Sequence, residues 1–312
     1  MYSFYRRFAA GSVGGLLALA GLAPCSWAQA SAPQTERLAY SLMVGGLHVG
    51  DAVVELDQDT DRYSTGLKLS SRGVAKWLRD FRADLSSAGG FKTDGNIAHP
   101  VPATYRRDWS GAEIDSSMTM TWDAATRMTQ IEERYINRET GEPVAREDLP
   151  WNKNDTKRER EEEKKRAVPP DMRVDTLDPM AAFIAARHQV MAQGASKGPV
   201  KFRVPVFDGQ RRYDIVGTTT APRTTTINDA TYNVITVNTT LVPVAGFSEK
   251  GIERMRQSRG KLLLTADERF IPVQVTIENE FLSGVMNLKA DCKVTPAACS
   301  PSQQVQAAAA SE

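Results

Sequence analysis

Alternation of apolar and polar residues at every second position most constrains what this chain can become. Met118, Met120 and Trp122 alternate with Thr119, Thr121 and Asp123, and Val273, Val275 and Ile277 alternate with Gln274, Thr276 and Glu278. Tyr232, Val234 and Thr236 interleave with Asn233, Ile235 and Val237. Successive side chains of a strand leave opposite faces, so this pattern means sheets with one face in a core and one in water. The turns agree. Gly45-Gly46 separates Arg37–Val44 from Leu47–Leu56, and Asp208-Gly209 separates Val200–Phe207 from Gln210–Val216. Both pairs supply the positive φ of a two-residue hairpin turn. Asp94-Gly95 and Ala266-Asp267 mark further reversals. The expected product is an antiparallel meander of about ten to fourteen strands.

One segment departs from this period. Asp178 is a good N-cap, and Pro179 fits the first helical position, where its missing N–H costs nothing. Met180, Phe183, Ile184 and Met191 recur at helical spacing, and Gly194 is a stop signal. Met180–Ala186 is apolar nearly all round, as in helices buried on several sides. The fold class expected is therefore mainly β: a single antiparallel sheet curled into an open barrel or spiral around one central α-helix, Asp178–Gln193. Between the β-rich halves lies a charged insertion, Asn137–Thr176, whose Lys157–Arg166 run nearly cancels in sign. It reads as a solvated segment that buries nothing. Residues 301–312, rich in Gln, Ala and Ser, read as a disordered tail.

The first thirty residues read as an address. Arg6 and Arg7 precede a short apolar run, and Ala28-Gln29-Ala30 offers small residues for cleavage. That order is a secretory signal, so the β domain is expected to span 31–300 and to work in the periplasm. Leu22-Ala23-Pro24-Cys25 offers a minor lipoprotein alternative with acylation at Cys25, although Pro24 fits that box poorly. Of the 3 cysteines, Cys292 and Cys299 remain after cleavage. Two nearby cysteines in an oxidising compartment favour a disulfide, one that would stabilise by roughly 2–3 kcal/mol. Lys+Arg 39 against Asp+Glu 38 gives no electrostatic case for nucleic acid. No segment of the mature chain approaches a transmembrane length.

Chemistry is sparse. Gly194-Ala195-Ser196-Lys197-Gly198 matches a nucleophile elbow, but a helix precedes it and Pro199 with a strand follows, the reverse of what an elbow needs. His48, His99 and His188 share no metal-ligand spacing, and no phosphate loop or dinucleotide fingerprint implies a cofactor. Asp84, Asp108, Asp115 and Glu278 could in principle face one cavity as a glycosidase-like pair. Asp208, Arg211, Arg212 and Tyr213 form a possible recognition patch, against which stands ordinary turn chemistry and cross-strand pairing. Trp77, Trp109 and Trp122 form a possible apolar pocket, against which stands core packing.

Four segments carry a resemblance. Tyr40–Gly50, Leu177–Ala182, Val206–Tyr213 and the closing pair with Leu262–Leu264, Asp267 and Arg269–Val273 occur in this order. Together they resemble the exported bacterial family known as domain of unknown function 3108 (DUF3108), from about Leu38 to Cys292. The chain departs from that pattern at the Asn137–Thr176 insertion and at Phe270-Ile271 between Arg269 and Pro272. The resemblance implies an exported, mostly antiparallel domain and no activity. The expected function is a non-enzymatic binding or envelope-integrity protein whose partner is an apolar envelope component or a periplasmic protein. The alternative is a hydrolase of cell-wall glycan or ester substrates.

Overall fold

Among the described residues fourteen strands form one sheet, every neighbouring pair antiparallel. The structure, a computed structural model, describes residues 34–72, 81–150, 165–193, 198–278 and 283–295. The strands are β1 (Gln34–Val44), β2 (Leu47–Gln58), β3 (Arg62–Ser71), β4 (Arg82–Asp94), β5 (Ile97–Ser110), β6 (Ile114–Trp122) and β7 (Thr129–Asn137), then β8 (Lys201–Phe207), β9 (Arg212–Thr219), β10 (Arg223–Ile227), β11 (Ala230–Ala245), β12 (Arg259–Thr265), β13 (Pro272–Glu278) and β14 (Ser283–Asp291). Among the described residues two α-helices accompany them, α1 (Pro179–Gln193) and α2 (Glu249–Gln257). The helix expected at Asp178–Gln193 is present, and the second is an addition to the single helix expected. No described helix is long and apolar enough to cross a membrane.

The spatial order is β7-β6-β5-β4-β3-β2-β1-β14-β13-β12-β11-β9-β8, with β10 beside β11. The first and last strands of the unit therefore meet in its middle, β1 on β14. β7 and β8 are the two ends and do not pair, so the hydrogen-bonded ladder is not closed. Each end carries a device that discourages further pairing. β7 holds Glu132, Glu133 and Arg134, and β8 holds Pro205 and is partly covered by Leu177, whose N–H donates to Pro205 O at 2.9 Å. The ends nevertheless touch through side chains, because Phe207 of β8 shares a buried cluster with Met118 and Met120 of β6. Gly209 is required there. Its φ is +97°, and an added Cβ would fall 2.3 Å from Met118 Sδ.

The turns refine the sequence reading. Gly45-Gly46 makes the two-residue turn expected, with φ of 57° and 83°. The β8–β9 turn is four residues, Asp208–Arg211, because Asp208 Oδ1 accepts the N–H groups of Gln210 and Arg211 and turns the chain through its side chain. Asn228-Asp229 closes β10 on β11 at φ 48° and 65°, a turn with no glycine to announce it.

Among the described residues the interior is four apolar clusters rather than one core. β11 explains this. Val234 faces the cluster of Tyr40, Leu38 and Val273, while Ile235 and Val237 face the cluster that holds Ala182, Ala185 and Val190 of α1. Both faces are covered there, which corrects the expectation of one wet face. Ala181 and Ile184 of α1 pack instead with Leu56 and Tyr63, so α1 touches strands from both halves of the sheet. The insertion also departs from expectation. Leu149 and Val168 are buried, and Val168 joins Phe207 and Trp122. Apolar residues flanking a charged run are free to fold back even where the run itself is solvated. Residues 151–164 lie outside the described residues, as do the leader, Trp77, Ser196, Cys299 and the tail.

Candidate functional site

The start of α1 is tied to the sheet. Asp178 Oδ1 accepts the N–H groups of Met180 and Ala181, each at 2.9 Å. Ser87 of β4 donates to Asp178 Oδ2 at 2.8 Å, and Tyr63 Oη lies 3.3 Å from that hydroxyl. Asp178 is fully buried. Burial pushes its carboxyl up to about 6, opposed by the Ala181 N–H, the Ser87 hydroxyl and the Met180 N–H. The folded chain thus holds this proton more tightly than the unfolded one. The resulting contribution to stability is full below about pH 4 and is lost as pH rises through about 6, on the order of 3 kcal/mol in all. Asp178→Asn keeps an acceptor for the cap and removes the titration. Urea midpoints followed from pH 4 to 7 should fall for the natural chain relative to this variant; parallel curves would refute the assignment.

Beyond the cap, one face of α1 lines a cleft of about 210 Å³. Its residues Pro179, Ala182, Phe183, Ala186, Arg187 and Val190 follow the spacing of a single helical face. Small Ala182 and Ala186 leave the space, and Val237, Leu241, Leu262 and Val275 form the facing wall. Strand β12 gives the cleft a direction. Arg259 at its start is exposed and Leu264 near its end is buried. Ile277, 59% exposed, stands at the lip.

Arg187 is the buried charged residue of this lining, which also includes Thr239, Ser258, Arg259 and Thr276. It is 2% exposed, and burial pulls its guanidinium below the ordinary value, although arginine stays charged. Its Nε donates to Arg269 O at 3.0 Å, and its Nη2 donates to the same oxygen and to Glu36 Oε1 at 3.4 Å. Arg269 reaches Glu36 at 3.6 Å and Asp291 at 2.5 Å. Arg187 Nη1 is buried with no acceptor among the described residues.

The sequence-derived candidates lie elsewhere. Asp208, as above, is occupied by its own turn. Arg211 sits 5.6 Å from the centre of the Phe247 ring, while Arg212 donates to Tyr213 O at 2.6 Å and pairs with Asp214. Tyr213 turns inward onto the α1 cluster, and burial pushes its phenol up. The four residues are thus close in the chain without presenting one surface. Trp109 packs on Phe81 at 6.2 Å between ring centres, whereas Trp122 is buried in the Phe207 cluster. Neither lines the apolar cleft, which contains no tryptophan among the described residues. Indole rings are large enough to be consumed by the cluster that buries them.

Asp84 and Asp108 lie directly opposite across β4 and β5, and with Asp115 they line a second, polar cleft beside Trp109. Glu278 ends β13 and is not part of it. Asp108 is held by Arg106 at 2.6 Å and Asp115 by the Ser110 hydroxyl. The histidines are dispersed. His48 pairs with Asp51 at 3.2 Å, His99 faces Lys92, and His188 contacts Ala98 O at 2.8 Å while stacking on Phe91.

Sequence reasoning passed over Arg187 and Glu36. One signal was present: a single arginine one residue beyond the all-apolar stretch Met180–Ala186.

A family model, DUF3108, described as a protein of unknown function, matches residues 103–289. No curated protein matches the chain. Among solved structures, a beta-barrel-like protein of domain of unknown function DUF1849 from Brucella abortus is similar over 81% of this chain and 95% of that one, at 11% identity and a TM-score of 0.41.

Proposed function

We propose that this chain, which belongs to the DUF3108 family, is a non-enzymatic periplasmic binding protein that holds an apolar envelope component in the cleft along α1. The observation that carries the reading is that cleft: one helix face opposite an apolar wall, open at Ile277. In this reading the sheet is an open barrel curled around α1, supported by the helix packing on Leu56 and Tyr63 on one side and on Val204 and Val237 on the other. An apolar surface kept accessible rather than filled is the usual basis of small-molecule binding.

Purified protein should raise the fluorescence of N-phenyl-1-naphthylamine, and Ala186→Trp, which places an indole in the cleft, should abolish the rise while leaving the circular dichroism unchanged. An unaltered rise in that variant would remove the cleft from consideration. The second reading, a hydrolase of cell-wall glycan or ester substrates, takes its support from Asp84, Asp108 and Asp115 in one cleft. Turnover of such a substrate that is lost in Asp108→Asn would favour it instead.

Export belongs to the same proposal. The leader directs the chain to the periplasm, the mature protein starts at Ser31, and Cys292 bridges to Cys299. Cys292 follows β14, where its N–H donates to Arg37 O at 3.0 Å. Intact-mass spectrometry of the periplasmic fraction should give a chain from Ser31 that is two hydrogens lighter than the dithiol form. An acylated Cys25 at the N-terminus would make it a lipoprotein.

A further inference from the structure

The cleft has an open, polar end and a buried, apolar one. Gly260, Leu262 and Leu264 share the face of β12 that lines it, and from Gly260 to Leu264 the strand advances roughly 13 Å. Val190, Phe202 and Leu264 close the buried end. At the other end Thr239 and Ile277 flank Gly260 in register, Thr276 precedes Ile277, and Ser258 and Arg259 precede Gly260. Gly260 holds this mouth open. Its φ lies outside the left-handed region, so the backbone does not require glycine there, and an added Cβ would fall 2.2 Å from Thr239 Oγ1. The volume of about 210 Å³ is below the roughly 300–1,000 Å³ of ordinary ligand pockets, which suits one unbranched chain better than a ring system.

The surroundings of the mouth are basic. Ser258 ends α2, its N–H donating to Arg254 O and Met255 O, so the last turn of α2 brings Arg254 and Arg256 to the rim. Lys261 follows on β12. The nearby carboxylates are Glu253, which accepts Gln257 Nε2 at 3.0 Å, and Glu278, opposite Arg259 in register without forming an ion pair with it. Cations therefore outnumber anions at the rim. Cations in a last turn complement the helix dipole, which accounts for Arg254 and Arg256 but not for Lys261. Arg259 is exposed, and its Nη1 donates to Arg256 O at 2.5 Å and to Ser258 O at 3.0 Å. Those bonds fix its guanidinium beside Ser258, a residue of the lining. Its Nε and Nη2 have no acceptor among the described residues, and that edge of a guanidinium matches a carboxylate with two parallel hydrogen bonds.

We propose that the occupant is a long-chain carboxylate that enters tail first over Gly260, lays its unbranched chain between α1 and β12, and leaves its head in water at the mouth beside Arg256 and Arg259. The proposal rests on the reading of the cleft as a binding site and adds the entry point and the sign of the head.

Displacement of N-phenyl-1-naphthylamine by two probes of equal chain length and opposite charge tests it, at pH 8 and below the concentrations at which either forms micelles. Dodecanoate should bind about fivefold more tightly than dodecyltrimethylammonium, as expected of exposed charge pairs, and the margin should shrink in about 0.5 M salt. In Arg256→Gln/Arg259→Gln, which keeps an amide donor for the α2 carbonyls, the margin should disappear while both probes still bind. Gly260→Val combined with Thr239→Ala, which removes the hydroxyl that the new side chain would meet, should weaken both probes with circular dichroism unchanged. A margin that survives in the arginine variant, or tighter binding of the ammonium probe, overturns the assignment of the head and leaves the binding reading standing. Unaltered affinities in the Gly260 variant overturn the entry point. Failure of both probes to displace bound dye from the natural chain overturns this proposal alone, whereas failure of the dye itself to bind overturns the cleft reading beneath it.

Discussion

Ile184→Asp is expected to cost about 5 kcal/mol or more and to leave little folded protein at 25 °C. Ile184 is 1% exposed and packs with Ala181, Leu56 and Tyr63. The substitution removes a buried aliphatic side chain, worth roughly 2–5 kcal/mol once the cavity is counted. It also places a carboxyl where nothing can hydrogen-bond it, which costs more whether the group ionises or takes up a proton. A domain of this kind has about 5–15 kcal/mol to lose. Gln189→Asp on the same helix is the control, since Gln189 is half-buried and its substitution should cost under about 1 kcal/mol. Urea denaturation followed by circular dichroism reads both. Equal, small losses would mean that α1 lies on the surface, and the packing of the helix between the two halves of the sheet would be wrong.

The periodic features of the fold were legible in the sequence, and the reasons are local. In β6 the order Met118, Thr119, Met120, Thr121, Trp122 gives buried and less buried positions in strict alternation. The Asp178-Pro179 start of α1 is set within three residues by its own hydrogen bonds. Features fixed by distant neighbours were not legible. β11 buries both faces because β1, β13 and α1 come to it from elsewhere in the chain. Ile277 continues an apolar alternation yet stands open at the lip of the cleft, because no described residue packs over it. Asn228-Asp229 turns without a glycine, because asparagine and aspartate also tolerate positive φ. The candidate site was the least legible part. Aromatic residues drew attention to a tryptophan pocket, while the cleft is defined by two alanines, whose effect is the absence of side chain, and by an arginine whose partner lies 151 residues away.

That distant partner gives the second large effect. Glu36→Ala is expected to destabilise the fold by about 3–5 kcal/mol, the range for breaking a buried ion pair from one side. Glu36 is 4% exposed and sits on β1, the strand that joins the two halves of the sheet through β2 and β14. Its Oε1 lies 3.4 Å from Arg187 and 3.6 Å from Arg269. Without it, Arg187 keeps only the Arg269 carbonyl, while Arg269 keeps Asp291 at 2.5 Å. The stranded charge is therefore on α1, not on the loop. The double variant Glu36→Met/Arg187→Met removes both charges and fills similar volume, so it should recover most of the loss. A thermodynamic cycle over Glu36→Met, Arg187→Met and the double variant isolates the coupling. Salt should change it little, since neither group is open to screening ions. A coupling near zero, or one that vanishes in high salt, would mean that the pair is solvated. Recovery in the double variant would show that the fold does not need these charges for stability.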